Sequence, residues 1–239
     1  MLHDTKIIAE PIKYSGLRIE MVTDRYRRRE ACALRYRAYL AEGAIDTNDL
    51  GWFTDPFDLL RTSVQFCAVD DEGRIVGALR FSVQPPRTAG LADFRSGPEF
   101  EIFPDVLATL GSDERAIVSG ARFAIEPGHP RRTEIALLLV FALVHAGRGV
   151  NAQYGIATAR GSHLRFYRRF LHMKPICEPR RMPKLNYDYN LLAVDIDADY
   201  RAIVEGFPRD CRVHFETTNP FWGAEVALAL REVSHGSVL

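Results

Sequence analysis

The stretch IVSGARFAIEPGHPRRTEIALLLV, residues 117–140, decides the fold. Residues 116–125 are mostly apolar and free of proline, a strand signal. Pro127, Gly128 and Pro130 then break the run and mark a sharp turn. Residues 134–146 are apolar nearly all round, the pattern of a helix buried on every side. A further strand at 153–158 makes this a βαβ unit, which requires a parallel strand pair joined by a right-handed crossover.

Working outward from that unit, residues 64–69 and 74–83 read as a hairpin around Asp70-Asp71-Glu72-Gly73. Before it, residues 17–23 form a short first strand, and Thr23 or Asp24 caps a helix running to about Gly43. The segment AIDTNDLGWFTDPFDLLRT, residues 44–62, mixes polar and aromatic residues in a loop. Residues 85–98 connect the hairpin to a short helix near 103–110. After the βαβ unit, Ser162 caps a helix that places Leu164, Tyr167, Phe170 and Leu171 on one side, and residues 189–194 form a last core strand. Residues 219–233 read as an amphipathic helix. An antiparallel meander feeding a βαβ unit is a mixed α/β sheet. Residues 1–207 are expected to form that domain, with 208–239 a helical extension packed on it.

The whole chain sets the outer bounds. It has 239 residues, 47% hydrophobic and 26% charged, enough for a sizeable core. The 31 basic and 31 acidic residues cancel, so net charge gives no reason to expect nucleic acid. The longest apolar run, residues 135–144, is too short to span a bilayer. The opening MLHDTKIIAEPIKY holds no uninterrupted apolar segment, so no secretory signal is expected. Cys32, Cys67, Cys177 and Cys211 stand far apart, which speaks for reduced thiols in a cytoplasmic protein and against a metal site.

Four stretches carry a resemblance: LRYRAYLAEG (34–43), TDPFD (54–58), GRIVGALRFS (73–82) and SGARFAI (119–125). Together they resemble the LuxI-type acyl-homoserine-lactone synthases and, more closely, the FeeM-type N-acyl amino acid synthases. RGSHLRFYRRFLHMKPI (160–176) and YNLLAVD (189–195) extend the resemblance over residues 18–195. It implies a GNAT-like acyltransferase fold and transfer of an acyl chain from acyl carrier protein to an amine. It also implies that Arg35, Asp55, Asp58, Arg80 and Arg122 form one cluster with Tyr39 beside it. Such a cluster could hold a small zwitterion, because arginine grips carboxylates two-pronged and aspartate pairs with an amine. Without the resemblance the same residues would read as solvated charge.

The chain departs from that pattern at one point. The lactone synthases typically carry a glutamate three residues before the arginine of the RF pair, and here the position is Ser119. A hydroxyl is no general base at neutral pH. Glu126, at the end of the same strand, is the nearest replacement by sequence, and a plain strand-end carboxylate is an equal reading. The lactone reaction also requires S-adenosylmethionine, and nothing in the sequence speaks for a nucleoside pocket. An amino-acid-like amine is therefore the expected acceptor.

The turn of the opening stretch also departs from its relatives. The GNAT glycine pattern would fall on Pro130, Thr133 and Ile135, so it is lost. The strand backbone at Phe123, Ala124 and Ile125 remains to hold the thioester and pantetheine. A helix N-terminus with Arg131, Arg132 and Thr133 suits one phosphate. A single phosphate fits the 4'-phosphopantetheine of acyl carrier protein better than free CoA. Residues 160–184 carry eight Lys and Arg against one Glu, a local charge of +7 that would steer an acidic carrier protein; a solvated helix face is the plain alternative. Leu137, Val140, Phe141 and Val144 are candidates for an acyl tunnel or for ordinary core. No permanently bound cofactor and no metal are expected. The rival functions are a lactone synthase, a small-molecule acetyltransferase using acetyl-CoA, and a non-catalytic protein that binds an acyl ligand or a carrier.

Overall fold

The computed structural model describes residues 12–22, 24–60, 62–84, 97–110, 114–209 and 212. In chain order the elements are β1 (Ile12–Tyr14), β2 (Leu17–Val22), α1 (Arg25–Ala41), β3 (Ser63–Val69), β4 (Ile75–Gln84), α2 (Pro98–Ile102), α3 (Pro104–Thr109), β5 (Ile117–Ile125), α4 (Arg132–Gly149), β6 (Tyr154–Ala159), α5 (Leu164–Leu171), β7 (Lys174–Pro175), β8 (Arg180–Arg181), β9 (Asp188–Asp195) and α6 (Ile196–Gly206). Thr23, residues 219–233 and most of the 208–239 extension lie outside the described residues, as does Cys211.

The strands form one mixed sheet in the order β1-β2-β3-β4-β5-β6-β9-β7, with β8 paired to β9. Neighbours from β1 to β5 are antiparallel. The β5–β6 pair is parallel, as the βαβ reading requires. Its ladder covers only Ile117–Gly120 against Tyr154–Ala157, while β5 continues to Ile125 and β6 to Ala159. The two strands thus part at their C-terminal ends.

Helices cover both faces. Helix α4 lies on one face with Ile135, Leu138, Leu139 and Phe141 fully buried. Gly77 of β4 makes that approach possible, since a Cβ there would sit 2.4 Å from Ile135 Cγ2. Phe141 also meets Phe207, just beyond α6, at 4.7 Å between ring centroids. Helix α1 covers the other face, where Ala31 and Leu34 pack on Cys67, Val69, Ile75 and Ala78. Asp24 caps α1 by accepting from the Arg27 backbone N–H at 2.8 Å.

Several expectations need correction. The helix expected near 103–110 is α3, but a second short helix, α2, precedes it over Pro98–Ile102; the two are separate because Pro104 cannot donate to the turn before it and Phe103 leaves helical geometry (φ −121°, ψ 42°). Ser162 caps nothing: it lies in a single 3-10 turn, Gly161–His163, and α5 starts after it without a side-chain cap. Strands β1, β7 and β8 and helix α6 were not foreseen. For α6 the signal was present, since Asp195 caps it by accepting from Ala198 N at 3.0 Å. Among the described residues no helix is long and apolar enough to cross a membrane.

Candidate active site

The site is built around the loop TDPFD. Asp55 opens a 3-10 turn over Pro56–Leu59 and accepts from the Phe57 N–H at 2.9 Å. Asp58 accepts in return from the Asp55 N–H at 3.1 Å and from the Thr54 hydroxyl at 2.9 Å. This reciprocal cap fixes both carboxylates relative to each other.

Three arginines converge on them from three elements. Arg35 of α1 donates to Asp58 through Nη1 at 2.7 Å and Nη2 at 3.2 Å. Arg80 of β4 reaches Asp55 at 2.5 Å and Asp58 at 3.2 Å. Arg122 of β5 donates to the far oxygen of Asp55 at 2.7 Å. The sheet register explains the last contact. Ala78 faces Ala124 and Arg80 faces Ala121, so Arg122 and Phe123 oppose the single residue Leu79 in a bulge. Arg122 adopts φ +56° there, and the bulge turns its side chain toward the loop.

The structure therefore brings all five charged residues together. It also shows that most of them are unavailable to a ligand. Arg35, Arg80, Asp55 and Asp58 are 0%, 2%, 8% and 9% exposed, and their charges are paired with one another and with Arg122, although Nε of Arg35 and of Arg80 has no hydrogen-bond partner among the described residues. Burial alone would raise the Asp58 pKa, but Arg35 and Arg80 more than offset it and hold the carboxyl below the usual aspartate range. Burial would likewise lower Arg35, and Asp58 raises it instead. Four of the five form a scaffold that pins the loop to the sheet. Only Arg122 reaches the adjoining cavity.

That cavity measures about 280 Å³. It lies where β5 and β6 part, walled by the outer half of β5, the ends of α1 and α4, helix α5 and the segment around Met182–Tyr189. Phe123, Ala124 and Ile125 line it, as do Tyr39, Arg132 and Thr133. Phe123 stacks on Phe166 of α5 at 6.5 Å. Tyr39 stands 5.4 Å from Phe53, ring to ring. Glu42 takes ion pairs from Arg160 and, at 3.6 Å, from Arg132 at the rim.

Other expected residues lie elsewhere. Glu126 is bound by Arg37 of α1 at 3.1 and 2.5 Å and lines a separate polar groove with Glu30 and His129. Arg131 folds back on Glu134 of its own helix. Ser119 is 1% exposed, does not line the cavity, and its hydroxyl has no partner among the described residues. Leu137, Val140, Phe141 and Val144 are plain core. In the basic 160–184 segment, Arg160 is neutralised by Glu42 and Arg180 by Asp105 at 2.7 Å. Arg165, Arg168 and Arg169 of α5 stay exposed and without an ion pair among the described residues.

Sequence reading missed Glu99, Tyr167 and Tyr189, all of which line the cavity. Burial pushes the Tyr189 phenol up to about 12, with Tyr39 adding to the rise, and burial raises Tyr167 too. The aromatic spacing of α5 could have pointed to Tyr167. No local signal marked Glu99.

A mixed sheet with parted parallel strands, a helix N-terminus at the gap and an apolar cavity defines a GNAT-like acyltransferase. Residues 30–195 match the family described as N-acyl amino acid synthase FeeM, and the chain belongs to that family of N-acyltransferases. Solved structures agree on the fold. FeeM, an N-acyl amino acid synthase from uncultured soil microbes, aligns over 81% of this chain and 95% of its own at 16% identity and TM-score 0.60. TofI, solved with an inhibitor and MTA, aligns over 82% of this chain and all of its own at 20% identity and TM-score 0.58. BjaI, a CoA-dependent acyl-homoserine lactone synthase solved with SAM and isopentyl-CoA, aligns over 89% of this chain and all of its own at 17% identity and TM-score 0.57. No curated protein sequence matches the chain.

Proposed function

We propose that the chain transfers an acyl group from the phosphopantetheine thioester of acyl carrier protein to the amine of an amino acid or similar small amine. The product is an N-acyl amino acid, and a carrier-protein donor places the reaction in the cytoplasm. The observation that carries this reading is the cavity at the parted β5–β6 strands, apolar on its inner walls and charged at Arg122 and the rim.

Alternate backbone groups of a strand point to its two neighbours. Beyond Gly120 the groups of β5 that point away from β4 face the gap instead of β6. There they can hold pantetheine amides and donate to the oxyanion that develops on the thioester carbonyl. Arg132 and Thr133, at the N-terminus of α4, suit one phosphate. The acyl chain lies against Tyr39, Phe166, Met182 and Leu185, not along the α4 residues that the sequence suggested. The exposed arginines of α5, the helix whose Phe166 and Tyr167 form the cavity wall, favour an acidic carrier protein. Tyr167, kept protonated by its raised pKa, is available to donate to the departing thiolate.

The test is mass spectrometry of products formed by the purified chain from acyl carrier protein or CoA thioesters and a mixture of amino acids. N-acyl amino acids formed faster from the carrier-bound donor are expected. No amide product from either donor would overturn the reading.

A further inference from the structure

The reaction needs a group to take a proton from the acceptor, because an amino acid arrives as an ammonium. Neither Ser119 nor Glu126 is placed to do so. Asp55 and Asp58 are each bound to two guanidiniums, and Glu42 to Arg160 and Arg132.

Glu99 is differently placed. It stands in the first turn of α2, lines the cavity, and is only 2% exposed. Its Oε1 has no hydrogen-bond partner among the described residues. A buried carboxylate oxygen without a partner is costly and marks a position where a ligand completes the hydrogen bonding. Its surroundings supply the electrostatics. Arg80 from β4, Arg122 from the β5 bulge and Asp55 from the TDPFD loop all act on it. The cluster holds three guanidiniums against two aspartates, so an ionised Glu99 is the carboxylate that brings the set to neutrality. Burial pushes the Glu99 carboxyl up, and Arg80, its own backbone N–H and Arg122 draw it back only in part. A carboxylate tuned upward is matched to general-base work near neutral pH.

We propose that Glu99 is the catalytic base of the acyl transfer, accepting a proton from the acceptor's ammonium while Arg122 pairs with the acceptor's carboxylate. This rests on the acyl-transfer reading above. The ammonium gives one proton to Glu99 Oε1. The freed nitrogen lone pair forms the C–N bond at the thioester carbonyl carbon. The C–S bond breaks with its electron pair on sulfur; the Tyr167 hydroxyl gives its proton to the thiolate and takes the second nitrogen proton in its place. Amide and thiol leave, and Glu99 returns its proton to solvent.

Glu99→Gln decides the matter. With an amino acid acceptor, kcat/KM is expected to fall by about 10²–10⁴-fold and the ascending limb of its pH profile to disappear. With a hydroxylamine-type acceptor, whose nitrogen is already neutral at pH 7, the loss should be much smaller. Should Glu99→Gln fail to fold, Glu99→Asp decides through its pH profile, which must shift from the native one. If Glu99→Gln turns over within a few-fold of native with an unchanged pH profile, or Glu99→Asp leaves the profile where it was, Glu99 is not the base and acyl transfer still stands. If the native chain forms no amide at all, the acyl-transfer reading falls and the Glu99 assignment with it.

Discussion

Arg35 Nη1 lies 2.7 Å from Asp58 Oδ2, and the two side chains are 0% and 4% exposed. The pair ties α1 to the TDPFD loop inside the protein. Removing Asp58 leaves the buried Arg35 without its carboxylate, and removing Arg35 leaves the buried Asp58 with Arg80 as its remaining guanidinium. Arg35→Ala or Asp58→Ala should each destabilise by about 3–5 kcal/mol, read from urea unfolding midpoints. Arg35→Met combined with Asp58→Leu should lose less than the sum of the single changes. Asp58 titrates below its ordinary 3.8 in the folded state, so its contribution is present at neutral pH and is lost only as pH falls through that value and beyond.

A second pH dependence has a different origin. Burial lowers His145 to about 4, from 6.5. Between those values the unfolded chain binds a proton at His145 that the folded chain does not. Stability should therefore be flat in this group above 6.5 and fall as pH drops toward 4. From pH 7 to pH 5 the loss amounts to about 2 kcal/mol, because each tenfold rise in proton concentration within that window favours the unfolded chain by about 1.36 kcal/mol. His145→Phe, which keeps an aromatic ring beside Phe141, should remove most of that slope in denaturant titrations at the two pH values.

The arginines of α5 bear on the donor. Replacing Arg165, Arg168 and Arg169 by Glu should cut kcat/KM with acyl carrier protein about tenfold or more at low salt. Turnover with a short acyl-pantetheine thioester should hardly change. Raising salt should shrink the difference, as the Debye length falls from about 10 Å at 0.1 M to about 3 Å at 1 M. Equal losses with both donors would show that the arginines serve the fold.

Gly77 tests the packing of α4 on the sheet. A methyl at this position meets Ile135 Cγ2 at 2.4 Å and Leu139 Cδ1 at 3.0 Å. Ile135 is β-branched and fully buried, so it has little room to yield. Gly77→Ala should lower stability by about 1–3 kcal/mol in thermal unfolding.

The sequence by itself determined the order of the main elements and the parallel β5–β6 pair. Those signals are local: a proline-free apolar strand, a Pro-Gly-His-Pro break and a helix apolar all round. It also brought Arg35, Asp55, Asp58, Arg80 and Arg122 into one set, through their resemblance to a family. Tertiary structure alone decided what that set can do. Whether an arginine grips a ligand or a neighbouring aspartate depends on burial and on partners up to 67 positions away, as for Arg122 and Asp55. The Arg37–Glu126 pair, 89 positions apart, removes the base that sequence proximity suggested. Glu99 gave no sign along the chain, because its burial, its place at the cavity wall beside the charges of Arg80 and Arg122, and the lack of a partner for its Oε1 among the described residues arise only in the folded chain.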